Sequence, residues 1–141
     1  MDINDYPMSD KPDLVISLHA CDIATDIVLN KASSNDAKVI LSTPCCHHEL
    51  NHKIKCDALS FVTDHSMLRQ KLCDAATDAL RILKLQSEGY EAVAMELIDP
   101  EDTPKNIMLR AIKQTRKDSR REALAREEYL RIRKFLMGEN A

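Results

Sequence analysis

Glycine is almost missing from this chain. Its 141 residues include two, Gly89 and Gly138. Nucleotide-binding α/β domains keep glycines where the backbone must approach a phosphate or a cofactor. No glycine-rich loop of that kind is present in the sequence. Long apolar runs are also absent, and none approaches the roughly twenty residues a membrane-spanning helix needs. The opening stretch MDINDYPMSDKPD is acidic and polar, which predicts no signal peptide. There is no large excess of one charge. The formal net charge is -3, so bulk charge predicts no nucleic-acid partner. The five cysteines are an odd number without an export signal. Reduced thiols and a cytoplasmic setting are the expectation.

What is present reads as one globular domain with a core. Hydrophobic residues make up 44% and charged residues 30%, ordinary values for such a domain. After Pro12 and Asp13, the run Leu14-Val15-Ile16-Ser17-Leu18 predicts a short strand buried on both faces. Asp22 is placed to cap a helix reaching about Asn30, ended by SSND at Ser33 to Asp36. Ala37 to Ser42 predicts a second buried strand, ended by Pro44. Strand, helix and strand in so short a span predict a parallel β-α-β unit.

Leu68, Leu72, Ala75, Ala76, Ala79 and Leu83 recur at helical spacing and predict a helix from about Asp64 to Ser87, stopped by Gly89. Tyr90 to Ile98 and Ile107 to Ile112 predict two strands. The polar turn DPEDTPKN between them makes an antiparallel hairpin. Lys113 to Met137 predicts a charged helix with a weak apolar side. From Lys113 to Lys134 there are nine Lys/Arg against four Asp/Glu, a local +5. Its mixed signs suit a solvated helix, and its basic residues are not interleaved with aromatics for base stacking.

Three stretches together resemble a known family. They are DLVISLHACDIATD (Asp13 to Asp26), VILSTPCCHHEL (Val39 to Leu50) and DPEDTPKNIMLRA (Asp99 to Ala111). In this order and spacing they resemble class I S-adenosylmethionine-dependent methyltransferases, the "methyltransferase domain" family. The resemblance covers roughly residues 3 to 112. It makes LVISL the fourth strand of a Rossmann-like sheet, KVILS the fifth and the hairpin the sixth and seventh, the last inserted antiparallel. The fold class expected is therefore α/β, the C-terminal half of such a sheet. The expected division is residues 1–112 as that half domain and 113–141 as a charged helical extension. The family's glycine loop and its ribose-binding acid would lie upstream of anything here. A half-sheet leaves an open edge and an uncovered apolar face. The expectation is pairing with itself or with a missing N-terminal piece, and weak binding of the cofactor alone.

HACD, His19 to Asp22, follows the C-terminal end of a parallel strand, where open α/β sheets place ligands. His19 could serve as a general base and Asp22 could orient it or the substrate. Alternatively, Asp22 is only a cap and His19 a loop residue. The resemblance implies that the backbone of Leu18, His19 and Ala20 lines the cofactor S-adenosyl-L-methionine.

STPCCHHELNHKIKC, Ser42 to Cys56, holds three cysteines and three histidines and admits several readings. Zinc is opposed by spacing, because adjacent Cys45 and Cys46 diverge in extended chain. Only His48, His52 and Cys56 share helical spacing, so no metal is expected. A catalytic thiol has an analogue in RNA cytosine-5 methyltransferases, where Thr-Cys follows the fifth strand, but Pro44 interrupts Thr43 and Cys45 here. An inert turn is a third reading. With the resemblance, Pro44, Cys45, Cys46 and His47 become the wall of a substrate pocket. Lys105 and Asn106 of the hairpin turn would hang over the same end of the sheet. Cys21 and Cys73 are expected as small core residues.

Two functions of different class follow. One is methyl transfer by in-line displacement to an RNA, protein or small-molecule acceptor, with this chain on the substrate side. The other is a non-catalytic interaction or dimerisation module derived from such a domain. A small zinc protein comes third.

Overall fold

The computed structural model describes residues 7–8, 11–44, 48–96 and 107–138. The parallel unit opens the fold: strand β1 (Leu14–Leu18), helix α1 (Asp22–Ser34) and strand β2 (Val39–Thr43). A short helix α2 (His48–Lys53), a single 3-10 turn (Asp57–Leu59) and one helical turn α3 (Ser60–Thr63) lead to the long helix α4 (Ser66–Ser87). Strands β3 (Tyr90–Glu96) and β4 (Ile107–Lys113) follow, and helix α5 (Ser119–Leu136) ends the described chain. The sequence-predicted elements are all found. α1 runs one turn further than predicted because Ser33 and Ser34 stay helical. β3 is described only to Glu96, and the expected hairpin turn lies outside the described residues.

The sheet has four strands in the order β1-β2-β4-β3. β1 and β2 are parallel, and β4 is inserted antiparallel between β2 and β3. This is the topology of a partial Rossmann-like sheet, with the last strand pushed inward as expected.

Side chains alternate across the sheet. On one face Ser17, Ile40, Ser42, Leu109, Ala111, Tyr90 and Ala92 are buried. Leu29 and Ala32 of α1 and Leu85 of α4 pack with Ile40, Tyr90 and Ala92 into one core cluster. The Tyr90 hydroxyl donates to the Ala37 carbonyl at 2.7 Å, so its one polar atom is satisfied inside. Lys113 Nζ sits 4.8 Å from the Tyr90 ring centre. Burial, then the nearby Asp36 and Glu88, pushes the Tyr90 phenol up to about 12.

The opposite face has no cover among the described residues. Register places Leu14, Ile16 and Leu18 beside Val39, Leu41 and Thr43. β4 and β3 continue that face with Ile112, Val93 and Met95. Ile16 is 53% exposed and Leu18 66%. This corrects the reading of β1 as buried on both faces: its apolar run is real, but only Val15 and Ser17 turn toward helices. The uncovered face itself was expected. Covering each half-exposed side chain there would contribute on the order of 1 kcal/mol.

A second cluster joins Leu50 and Ile54, Cys73 of α4 and Leu136 of α5. α5 is docked along its length, with Ala125 and Leu136 buried and Ile132 packed on this cluster, while Leu124 and Phe135 remain exposed. Asp118 caps α5, its side chain accepting from Arg121 N–H at 3.1 Å. α4 stops at Gly89, whose φ of +93° is readily available to glycine. The buried residues of α4 are Cys73, Asp78, Arg81, Leu85 and Ser87. Ala75 and Ala79, expected on the buried stripe, face solvent. The stripe was mis-set because two charged residues, paired with each other, occupy it.

Candidate active site at the ends of the parallel strands

The two parallel strands end side by side, with Leu18 opposite Thr43. The next residue, His19, has φ of +52°. For a residue with a side chain this left-handed conformation costs about 1–2 kcal/mol. Two hydrogen bonds hold it there: His19 N–H donates to the Thr43 carbonyl at 2.9 Å and to Thr43 Oγ1 at 3.1 Å. Thr25 Oγ1 then donates to the Ala20 carbonyl at 3.1 Å, fixing the far side of the turn. Leu18 and His19 are exposed and Ala20 is half-buried. The result is a strained, braced turn at the carboxyl end of a parallel strand.

Asp22 takes a different place from the one its spacing suggests. The N-cap of α1 is Cys21, with no side-chain cap. Asp22 is the first helical residue, and its carboxylate turns inward. Oδ1 accepts from Arg81 at 2.6 Å and Oδ2 from Glu49 N–H at 2.8 Å. Arg81 also meets Asp26 at 2.8 Å and Asp78 at 3.2 Å. Its side chain is 5% exposed. Burial opposes the guanidinium charge, but the Asp26 hydrogen bond and the three carboxylates outweigh it and hold Arg81 above its ordinary pKa. Asp22 thus ties the starts of α1 and α2 to α4. A cavity of about 230 Å³ opens beside this cluster, lined by Asp22, Asp26, Arg81, Lys84 and Tyr129.

The structure brings Leu18, His19 and Ala20 together with Thr43 at one rim. Pro44 follows β2 and is buried. Cys45, Cys46, His47, Lys105 and Asn106, named above as substrate-pocket residues, lie outside the described residues. Cys21 is exposed, not the core residue expected. Cys73 is fully buried, and burial raises its thiol pKa, which makes it inert. Among the described residues no group of three His, Cys, Asp or Glu could hold a metal ion. Arg81 escaped the sequence reading, and Thr43, weighed there only beside Cys45, braces His19 instead. Arg81 had one local signal, its i,i+3 spacing from Asp78.

The fold and its braced rim define an α/β protein of partial Rossmann-like type. Residues 2–53 match a family model described as a methyltransferase domain. The match takes in β1, α1, β2 and α2, the parallel unit and its rim, and it supports methyl transfer in general. No curated protein and no solved structure matches the chain. Among the described residues no helix is long and apolar enough to cross a membrane.

Proposed function

We propose that this chain supplies the acceptor side of an S-adenosylmethionine-dependent methyl transfer. The cofactor would be held in part by a further layer closing over the bare face of the sheet. The strained His19 turn at the end of β1 carries this reading, together with the family match on the same segment. The residues present fit one wall of a cofactor site. Leu18 and His19 are exposed at the end of β1 and would face the ligand. Asp22, the acid of the same segment, is engaged by Arg81 and Glu49 N–H and is not available to a ribose.

When bound, the cofactor supplies an electrophilic methyl group on a sulfonium. The chain's own part is to position the acceptor and take its proton. His19 is the group for that proton, since its imidazole can accept one and the residue is exposed at the rim. Asp22 acts as a positioning residue, fixing the start of α1 through Arg81. Pro44, Cys45, Cys46 and His47, with Lys105 and Asn106, would complete the acceptor wall. The setting would be cytoplasmic.

The bare face also favours a second reading, a non-catalytic module that self-associates. One NMR titration with S-adenosylhomocysteine, run beside sedimentation velocity, separates the two. Millimolar ligand should move the amide signals of Leu18 to Ala20 and Thr43. Absence of any shift at the rim, with a tight dimer in sedimentation, overturns methyl transfer in favour of the module.

A further inference from the structure

A groove of about 540 Å³ lies between the end of α2 and the last turns of α5. His52, Lys53, Lys55, Arg133 and Lys134 line it, and no acidic residue does. Lys53 is paired with Glu49 at 2.6 Å. His52, Lys55, Arg133 and Lys134 are exposed, and the ion pairs among the described residues include none of them. The chain as a whole carries -3, so this patch is a local concentration of charge and not a bulk property.

The groove is held rigidly. Lys55 N–H donates to the Leu136 carbonyl at 2.8 Å. Gly138 lies so close to the Lys55 carbonyl that a Cβ there would collide with it. Leu50, Ile54 and Leu136 share one buried cluster beneath. Cations at helix ends are ordinarily explained by the helix dipole. That account covers His52, Lys53, Arg133 and Lys134, but Lys55 lies outside any helix and still faces the same groove. Like charges held together at one rigid site repel, and an anion carrying several charges relieves this.

We infer that this groove binds the phosphate backbone of a single-stranded nucleic acid. The inference rests on the methyl-transfer reading for its place in function, and names nucleic acid as the acceptor class. The groove is lined from the end of α2, the first described element after the rim, and from the last turns of α5. The lining carries no Phe, Tyr or Trp, and its lysines and arginine would grip the phosphates without reading sequence.

The test is fluorescence anisotropy of the full chain with labelled single-stranded RNA, single-stranded DNA and poly-glutamate of matched length, across a salt series. Three to four neutralised phosphates predict a log K against log salt slope of about -2 to -3 for a single strand. The triple variant Lys55→Glu, Arg133→Glu, Lys134→Glu should weaken binding at least tenfold and flatten the slope. The Lys55→Gln, Arg133→Gln, Lys134→Gln variant should act in the same direction and guards against misfolding. Arg120→Glu with Arg121→Glu, at the other end of α5, should leave binding unchanged. Tighter binding of RNA than DNA, or the reverse, identifies the source of the phosphates. No binding, an unchanged slope in both triple variants, or equal affinity for poly-glutamate overturns the inference. Nucleic-acid binding with no cofactor-induced shift at the rim keeps the groove and removes the methyl-transfer reading, so the two fail separately.

Discussion

Replacing Arg81 with methionine should be the most damaging single change to the fold. The guanidinium is 5% exposed, and its partners Asp22 and Asp78 are 9% and 7% exposed at the side chain. Arg81→Met keeps the length and apolar stem but takes the cation away from two buried carboxylates. Breaking a buried ion pair from one side costs about 3–5 kcal/mol. A domain of this kind has only about 5–15 kcal/mol in total. With a urea m-value of about 2 kcal/mol/M, the midpoint should fall by about 1.5–2.5 M. Asp26 adds little, because its side chain is 43% exposed and its charge can hydrate. Two controls isolate the cause. Adding Asp22→Asn and Asp78→Asn should recover at least half of the loss, since neutral amides need no cation. The amide oxygen that replaces the Asp22 carboxylate can still accept from Glu49 N–H. Arg81→Lys, which keeps a cation at the site, should lose less than Arg81→Met. A midpoint shift under about 0.5 M would refute the reasoning, for it would mean that water already screens the cluster. So would a loss that neutralisation fails to recover.

Tyr90 should give an alkaline stability window. Its pKa of about 12 lies above the ordinary 10, so its contribution is whole below pH 10 and is lost as pH rises through 12. Two units correspond to roughly 2–3 kcal/mol. In urea melts the advantage of wild type over Tyr90→Phe, about 1 kcal/mol near pH 8, should disappear across that window; parallel curves would contradict it. Gly89→Ala should cost about 1–2 kcal/mol in thermal unfolding because of its positive φ, and a cost near zero would show that the turn relaxes freely. Ile16→Glu and Leu18→Glu should change stability by less than about 0.5 kcal/mol yet abolish dye binding to the bare face, whereas Ile40→Ala on the covered face should cost about 2–5 kcal/mol. Similar losses at all three positions would mean that the two faces have been confused.

Local signals carried the element order well. β-branched runs marked β1 and β2, and the glycine stop marked the end of α4. The resemblance supplied the inserted last strand. What remained hidden was long-range. LVISL records that β1 is adapted to burial, but composition cannot say whether the covering layer belongs to the same chain. Asp22 looked like a cap because its real partner, Arg81, is 59 residues away. Arg81 itself was obscured because hydrophobic periodicity counts a charge as solvent-facing, whereas three aspartates make it a core residue. His19 was singled out for its chemistry and its place after a strand, yet its left-handed backbone has no local marker. Thr43 matters only because β1 ends beside it.

The insertion of β4 has a temporal side. Among the described residues β3 pairs with β4 alone, and the inner edge of β2 is also closed by β4. Both therefore wait for residues 107–113 before the sheet exists as one piece. On the ribosome the chain would carry an unpaired β2 edge from residue 43 until residue 107, joined by a lone β3 after residue 96, a period in which such edges invite mispairing. Sheet assembly should then occur in one late, cooperative step. A nick or premature stop ahead of β4 would leave a β1–β2 pair and an orphan strand, not a smaller sheet.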